Sequence, residues 1–225
     1  MVFDTSFHQT LPEYAWRYAL PRKISDQYAI RRYGFHGISH QSVVKQAASF
    51  LKTPVNKLNL ITIHLGNGAS ISAIKKGICV DTTMGMTPLE GLVMGTRPGD
   101  LDPGILTLLA SKGWNQEALE TMLNQDSGMK GLCGTNDFRE ILQNKEEGNE
   151  EAEMALELYC YRVRKTIGSF STVIGPVDAL VFTGGVGENV SWVRERSVRE
   201  MEWMNIQLDP DMNDHAEAPC AIHSK

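Results

Sequence analysis

Three side chains in this sequence could act on an anionic phosphoryl group: Asp4, His36 and Arg97. Arg97 lies in Gly95-Thr96-Arg97-Pro98-Gly99-Asp100, where glycines let the backbone fold tightly around a guanidinium that can fork onto phosphate oxygens. A solvated pair with Asp100 or Asp102 would account for the same residues. His36 is bracketed by glycines in Gly34-Phe35-His36-Gly37, which suits either a ring aimed into a pocket or a hydrogen-bonded structural histidine. His36 and His40 are four apart, but Ser39 reads as the N-cap of a helix beginning at His40. The two rings would then not share a helical face, and no third ligand stands at a metal-site spacing. Asp4 is either a working carboxylate or a turn residue after a strand.

Two glycine-rich turns could present backbone N–H groups to an anion. The first, His64-Leu65-Gly66-Asn67-Gly68-Ala69-Ser70, has a hairpin tip whose Asn-Gly pair needs no ligand to explain it. The second runs through Thr183-Gly184-Gly185-Val186-Gly187-Glu188-Asn189, between a strand and a helix, where missing side chains would let a phosphate approach closely. It is not a Walker A loop, and Val190 stands where a dinucleotide fingerprint needs its third small residue. A structural turn and a phosphate loop explain it equally well. Taken as a pair, one turn between strands and one before a helix match the phosphate clamp of ATP-binding folds of the actin, sugar-kinase and Hsp70 type.

The elements that must hold these groups follow from periodicity. Leu60 to Ile63, Ile71 to Ile74 and Ile78 to Val80 read as an antiparallel meander. A long Gly-rich loop runs from Gly85 to Asp102, and Asp102-Pro103 opens a helix that stops at Gly113. A short helix is expected from Asn115 to Asn124, and another capped by Asp137, with Glu140 completing a capping box. Ala152, Ala155, Tyr159, Val163, Ile167 and Phe170 recur at spacings of three and four, which predicts a long helix between about Glu150 and Val173. It feeds a strand at Ala179 to Phe182, and a further helix begins near Ser191.

Composition sets the outer bounds. The chain has 225 residues, 42% of them apolar and 22% charged, with a net charge of -5. That suits a globular protein with a real core and argues against a nucleic-acid binder, which would carry a concentrated basic face. Cys79, Cys133, Cys160 and Cys220 form no C-x-x-C pair, so free thiols in a cytoplasmic protein are expected. No apolar run suits a signal peptide or a membrane span. Met1-Val2-Phe3-Asp4 reads as the end of a strand whose beginning is missing, and both ends look cut.

In order along the chain, these segments resemble the acetate kinase family. The match is carried by Phe3 to Pro12, Arg32-Tyr33-Gly34-Phe35-His36-Gly37-Ile38-Ser39-His40, His64 to Ser70, Gly95 to Pro103, Asn136-Asp137-Phe138-Arg139 and Phe182 to Asn189. Ile38 and Pro98 stand where the family more often has Thr and Ser. The resemblance implies an α/β, actin-like ATPase or ribonuclease H-like fold, with a mixed sheet flanked by helices. It further implies transfer of the γ-phosphoryl of ATP to acetate, reversibly, with Mg2+ or Mn2+ as cofactor, in a cytoplasmic homodimer that binds neither nucleic acid nor membrane.

By the same resemblance, Asp4 matches a catalytic aspartate, and His36 and Arg97 match the pair that stabilises the transition state. His64, Leu65, Gly66, Asn67 and Gly68, then Asp137, Phe138 and Arg139, then Gly185, Val186, Gly187, Glu188 and Asn189, match three nucleotide-contacting segments. Residues 1–225 would form the C-terminal nucleotide-binding and catalytic domain. The family's metal ligands and a substrate-binding arginine lie in segments this chain lacks, so the chain alone should bind nucleotide weakly and turn over poorly. A propionate or butyrate kinase, a non-catalytic nucleotide-binding module and a purely structural domain are the competing readings. Asp4 could be a metal-water anchor or a positioning group.

Overall fold

The computed structural model describes residues 3–224. A mixed sheet runs in the order β3-β2-β1-β4, from β1 (Leu60–Leu65), β2 (Ala69–Lys75), β3 (Ile78–Thr82) and β4 (Ala179–Thr183). β1 and β2 pair antiparallel with Leu65 opposite Ala69, so their turn is Gly66-Asn67-Gly68, as the Asn-Gly signal predicts. β4 returns parallel to β1, placing Thr183 opposite His64. The glycine-rich segment after β4 therefore emerges at the same sheet edge as the hairpin tip.

The described helices are α1 (Glu13–Trp16), α2 (Arg22–Gln27), α3 (Gly37–Phe50), α4 (Gly104–Ser111), α5 (Gln116–Gln125), α6 (Gly128–Cys133), α7 (Phe138–Glu146), α8 (Glu150–Ile174), α9 (Gly184–Asn189), α10 (Ser191–Val198) and α11 (Pro210–Asp214). α8 begins where the Asn149 side chain accepts from Ala152 N and three glutamates fill the first turn, complementing the helix dipole. Its predicted stripe of Ala152, Ala155, Tyr159, Val163, Ile167 and Phe170 is buried throughout. α5 and α7 have the expected caps: Asn115 accepts from Ala118 N and Asp137 from Arg139 N. Glu140 does not complete a capping box, because its carboxylate takes the Thr135 hydroxyl instead.

Strand alternation divides the interior into two unlike halves. Ile61, Ile63, Leu65, Ala69, Ile71 and Ala73 join the α8 stripe in the main apolar core. Each large side chain fully buried there contributes roughly 1.5–3 kcal/mol. The intervening Thr62, Ser70 and Ser72 are equally buried but polar, and their face lies under α3. A smaller apolar cluster of Val44, Ala48, Leu58, Leu60, Ile74 and Cys79 closes the far end of that face.

The architecture corrects the expected starts of two helices. α3 begins at Gly37 rather than His40, so Ser39 is inside the helix and its hydroxyl goes to His64 Nδ1 at 2.9 Å. The segment after β4 is not an open turn: α9 begins at Gly184, because Glu188 folds back to accept from Thr183 Oγ1 at 2.8 Å and Gly184 N at 3.2 Å. Phe3 and Asp4 lie in no strand, and Met1 and Val2 fall outside the described residues. Among the described residues no helix is long and apolar enough to cross a membrane, and the four cysteines are free.

Candidate active site

The first turn of α3 leaves backbone N–H groups without helical partners, and Asp4 supplies acceptors from 32 residues upstream. Its Oδ2 accepts from His36 N at 2.6 Å, its Oδ1 lies 3.5 Å from Ile38 N, and its backbone carbonyl accepts from Gly37 N at 2.9 Å. Residue 37 must be glycine for this approach, since a Cβ there would stand 2.1 Å from the Asp4 carbonyl oxygen. His36, just before it, adopts a left-handed φ of 55°. Such a conformation costs on the order of 1–3 kcal/mol for a non-glycine residue and persists only where its surroundings impose it. The buried His8 ring helps to impose it, because His8 Nε2 donates to the Phe35 carbonyl at 2.9 Å.

This backbone turns the His36 ring onto the polar face of the sheet. Its Nδ1 lies 2.9 Å from Ser70 Oγ, and the ring packs on His64 with centroids 4.3 Å apart. Ser70 Oγ is also 2.7 Å from Nε2 of the fully buried His40, whose Nδ1 is 2.7 Å from Thr62 Oγ1. His36 and His40 thus meet at one serine although His36, outside the helix, shares no helical face with His40. Burial is the first cause that lowers the pKa of each of His8, His36, His40 and His64; His36 is brought to about 4, with the charges of His64 and Arg97 adding to the effect. The His36 imidazole is neutral at pH 7.

Arg97 faces the same spot from the glycine-rich loop. Neither expected aspartate pairs with it: Asp100 accepts from Gly91 N and Asp102 from Gly104 N. Among the described residues the guanidinium reaches only the Pro88 carbonyl at 3.4 Å and Met94 Sδ at 3.8 Å, and it forms no ion pair. A positive group without a carboxylate partner is available to an incoming anion. Gly68 lies between it and His36: a Cβ on Gly68 would be 3.2 Å from His36 Nε2 and 3.7 Å from Arg97 Nη1.

The remaining predicted segments border this centre to different degrees. Asn67 ties the hairpin tip to two of them, its carbonyl accepting from Gly95 N at 2.9 Å and its Oδ1 from Asn136 Nδ2 at 2.8 Å. Asn136 leads into Asp137, Phe138 and Arg139. Phe138 is buried against Tyr159, whereas Arg139 is exposed and paired with Asp137, whose pKa that hydrogen bond lowers to about 2. In α9, Gly185 opens onto free space, while Gly187 faces Ile63 O and Leu65 Cβ, both 3.7 Å from a Cβ placed there. The glycine that the backbone itself requires is Gly184, with φ +81° and a Cβ position 2.5 Å from the Leu65 carbonyl oxygen. His8, Thr62 and the joining of His40 and Ser70 to His36 were not anticipated; for Thr62 and Ser70 the available signal was the alternation of polar with apolar residues in β1 and β2, while nothing local marks the buried His8 and His40 rings.

The fold, with its antiparallel β3-β2-β1 meander, parallel β4 and flanking helices, is of the actin-like ATPase class. The acetokinase family profile matches residues 1–224, and the chain belongs to that family. It is 54% identical to an acetate kinase of Sulfurovum sp. (strain NBC37-1), over 100% of this chain and 57% of that protein. It is 52% identical to one of Campylobacter jejuni (strain NCTC 11168), over 94% of this chain and 54% of the relative. Among solved structures, Porphyromonas gingivalis acetate kinase superimposes with a TM-score of 0.93 at 45% identity, over 100% of this chain and 55% of the other. A propionate kinase from Francisella tularensis gives 0.95 at 43% identity, over 100% and 58%. The chain therefore spans little more than half the length of the relatives it matches.

Proposed function

We propose that the whole protein transfers the γ-phosphoryl group of ATP to acetate, giving acetyl phosphate and ADP, and runs the reaction in reverse. The single observation that carries this reading is the convergence of neutral His36 and Arg97, which has no carboxylate partner among the described residues, around Gly68, with Asp4 holding the His36 backbone. Acetate is already ionised at pH 7, so its attacking oxygen needs no general base. The difficulty is repulsion between that carboxylate and the γ-phosphate. As the new O–P bond forms in line, the bond to the bridging oxygen of ADP breaks, and charge spreads over three equatorial oxygens. Arg97 would stabilise that charge as a fixed cation and His36 as a neutral N–H donor, without an extra proton to place. Asp4 would position His36 by holding its backbone N–H.

The nucleotide would lie against His64 to Gly68, Asp137 to Arg139 and Gly185 to Asn189, with residues 1–225 serving as the C-terminal nucleotide-binding and catalytic domain. Among the described residues no group of three or more His, Cys, Asp or Glu side chains could hold a metal ion. Mg2+ or Mn2+ would arrive bound to the nucleotide phosphates and add charge neutralisation there. A cytoplasmic homodimer is part of the same proposal and rests on family membership.

The high structural similarity to a propionate kinase favours a second acyl substrate, propionate, and the ratio of acetate to propionate turnover in a family-length protein separates the two. Calorimetric titration of Mg-ADP and Mg-ATP into this chain tests the nucleotide assignment. Weak binding is expected, with a nucleotide-dependent rise in Tm. A folded chain that gives neither heat nor thermal shift would overturn the three nucleotide segments, and brisk acetyl phosphate synthesis by the chain alone would overturn its incompleteness.

A further inference from the structure

We propose that Thr62, His40 and Ser70 form a one-way hydrogen-bond chain that keeps the proton of His36 on Nε2, the ring nitrogen facing Gly68 and Arg97. The purpose of the chain rests on the phosphoryl-transfer reading above; its existence does not.

Thr62, His40 and Ser70 are all fully buried, so no bulk water competes for their protons. The Ser70 hydroxyl has one proton and touches two imidazole nitrogens, His36 Nδ1 at 2.9 Å and His40 Nε2 at 2.7 Å. It must donate to one and accept from the other. The direction is decided at the far end. If His40 Nδ1 carried the proton, the Thr62 hydroxyl would have to accept from it and send its own proton to the Ser72 carbonyl, 3.5 Å away. That separation is at the limit of a hydrogen bond, whereas Thr62 Oγ1 and His40 Nδ1 are 2.7 Å apart. Thr62 therefore donates to His40 Nδ1, His40 Nε2–H donates to Ser70, and Ser70 donates to His36 Nδ1. The His36 proton is left on Nε2.

A protonated Nε2 has no lone pair to offer. It presents a donor to an anionic oxygen at Gly68, where the opposite tautomer would present a repelling lone pair. Thr62, His40 and Ser70 are thus positioning residues, acting through His36.

The test is a two-bond proton–nitrogen correlation spectrum of this chain labelled with nitrogen-15 histidine, at pH 7.5. A His36→Gln variant identifies the His36 signals. The expected pattern is Nε2 protonated and Nδ1 bare for both His36 and His40. Thr62→Val removes the hydroxyl that starts the chain without touching His36, and it should convert the His36 pattern to a mixture of both tautomers. Thr62→Ser should restore it. A merely structural Thr62 would leave the His36 pattern unchanged in the valine variant, and that result overturns the proposal. So does a wild-type His36 protonated on Nδ1, which decides the matter even if Thr62→Val fails to fold. Because no turnover is read, failure here is distinct from failure of the phosphoryl-transfer reading, which the nucleotide titration and the turnover of a family-length protein judge separately.

Discussion

Replacing Gly37 by alanine separates two opposite expectations. Helix propensity alone favours the substitution, since glycine inside a helix is worse than alanine by about 0.5–1 kcal/mol. Packing opposes it. The new Cβ would lie 2.1 Å from the Asp4 carbonyl oxygen, and Cβ contacts under 3.0 Å are essentially never seen. The Asp4 segment must therefore retreat by roughly 1 Å, a displacement that in a reacting centre costs about 10²-fold in rate. Retreat breaks the Gly37 N–Asp4 O bond and the charged His36 N–Asp4 Oδ2 bond. Together these are worth roughly 2.5–4 kcal/mol, from about 1 for a neutral bond and 1.5–3 for a charged one. Amide hydrogen exchange of His36 and Gly37 reads the loss directly, and their protection should fall about 70- to 1000-fold while the α8 amides change little. Unchanged protection at His36, or a raised Tm, would refute the claim that Asp4 is docked on the start of α3.

Three further outcomes follow from the same geometry. Burial lowers the pKa of His8, His36, His40 and His64, so the unfolded chain takes up protons near pH 6.5 while the folded chain resists. Their contribution to stability is fully present above pH 6.5 and is lost as the pH falls toward about 4, the value for His36; a Tm that stays level or rises from pH 7.5 to 5 would contradict this. Gly184→Ala, forced to φ +81° against the Leu65 carbonyl, should cost at least about 1–3 kcal/mol and lower the urea midpoint, whereas Gly187→Ala should fold nearly as well as the parent. Arg194 is buried and bonds the carbonyls of Gly187 and Glu188 and both oxygens of Asn213, so Arg194→Lys, which cannot reproduce that fork, should cost about 3 kcal/mol or more and expose residues 200–224 to limited proteolysis.

The parts of the fold that local rules govern were legible in the sequence. The Asn-Gly hairpin, the α8 stripe, and the Asn115 and Asp137 caps each depend on residues within a few positions of one another. What escaped was set by distant contacts. Ser39 looked like a cap because the actual cap of α3, Asp4, comes from the other end of a loop, and the His36 backbone conformation depends on the same contact. α9 escaped because Glu188 turns back on Gly184, closing a glycine run that otherwise reads as an open loop. Arg194 lies in the helix expected near Ser191, but its bonds to Asn213, 19 residues on, cannot be read from that helix. At the candidate site, His36, Arg97 and Gly68 could be picked out by type and spacing. The Thr62–His40–Ser70 network could not, because polar alternation in a strand names no partner until the neighbours across it are known.

The central claim is that Arg97 and neutral His36 act on the transferring phosphoryl group rather than on nucleotide binding. The most direct measurement is turnover beside Mg-ADP affinity for Arg97→Ala in this chain extended to the length of its relatives. The kcat should fall about 10³-fold or more, the scale of a removed arginine finger, with the Kd for Mg-ADP changed less than about tenfold. Turnover within tenfold of the parent, or a loss of affinity that matches the loss of kcat, would contradict it.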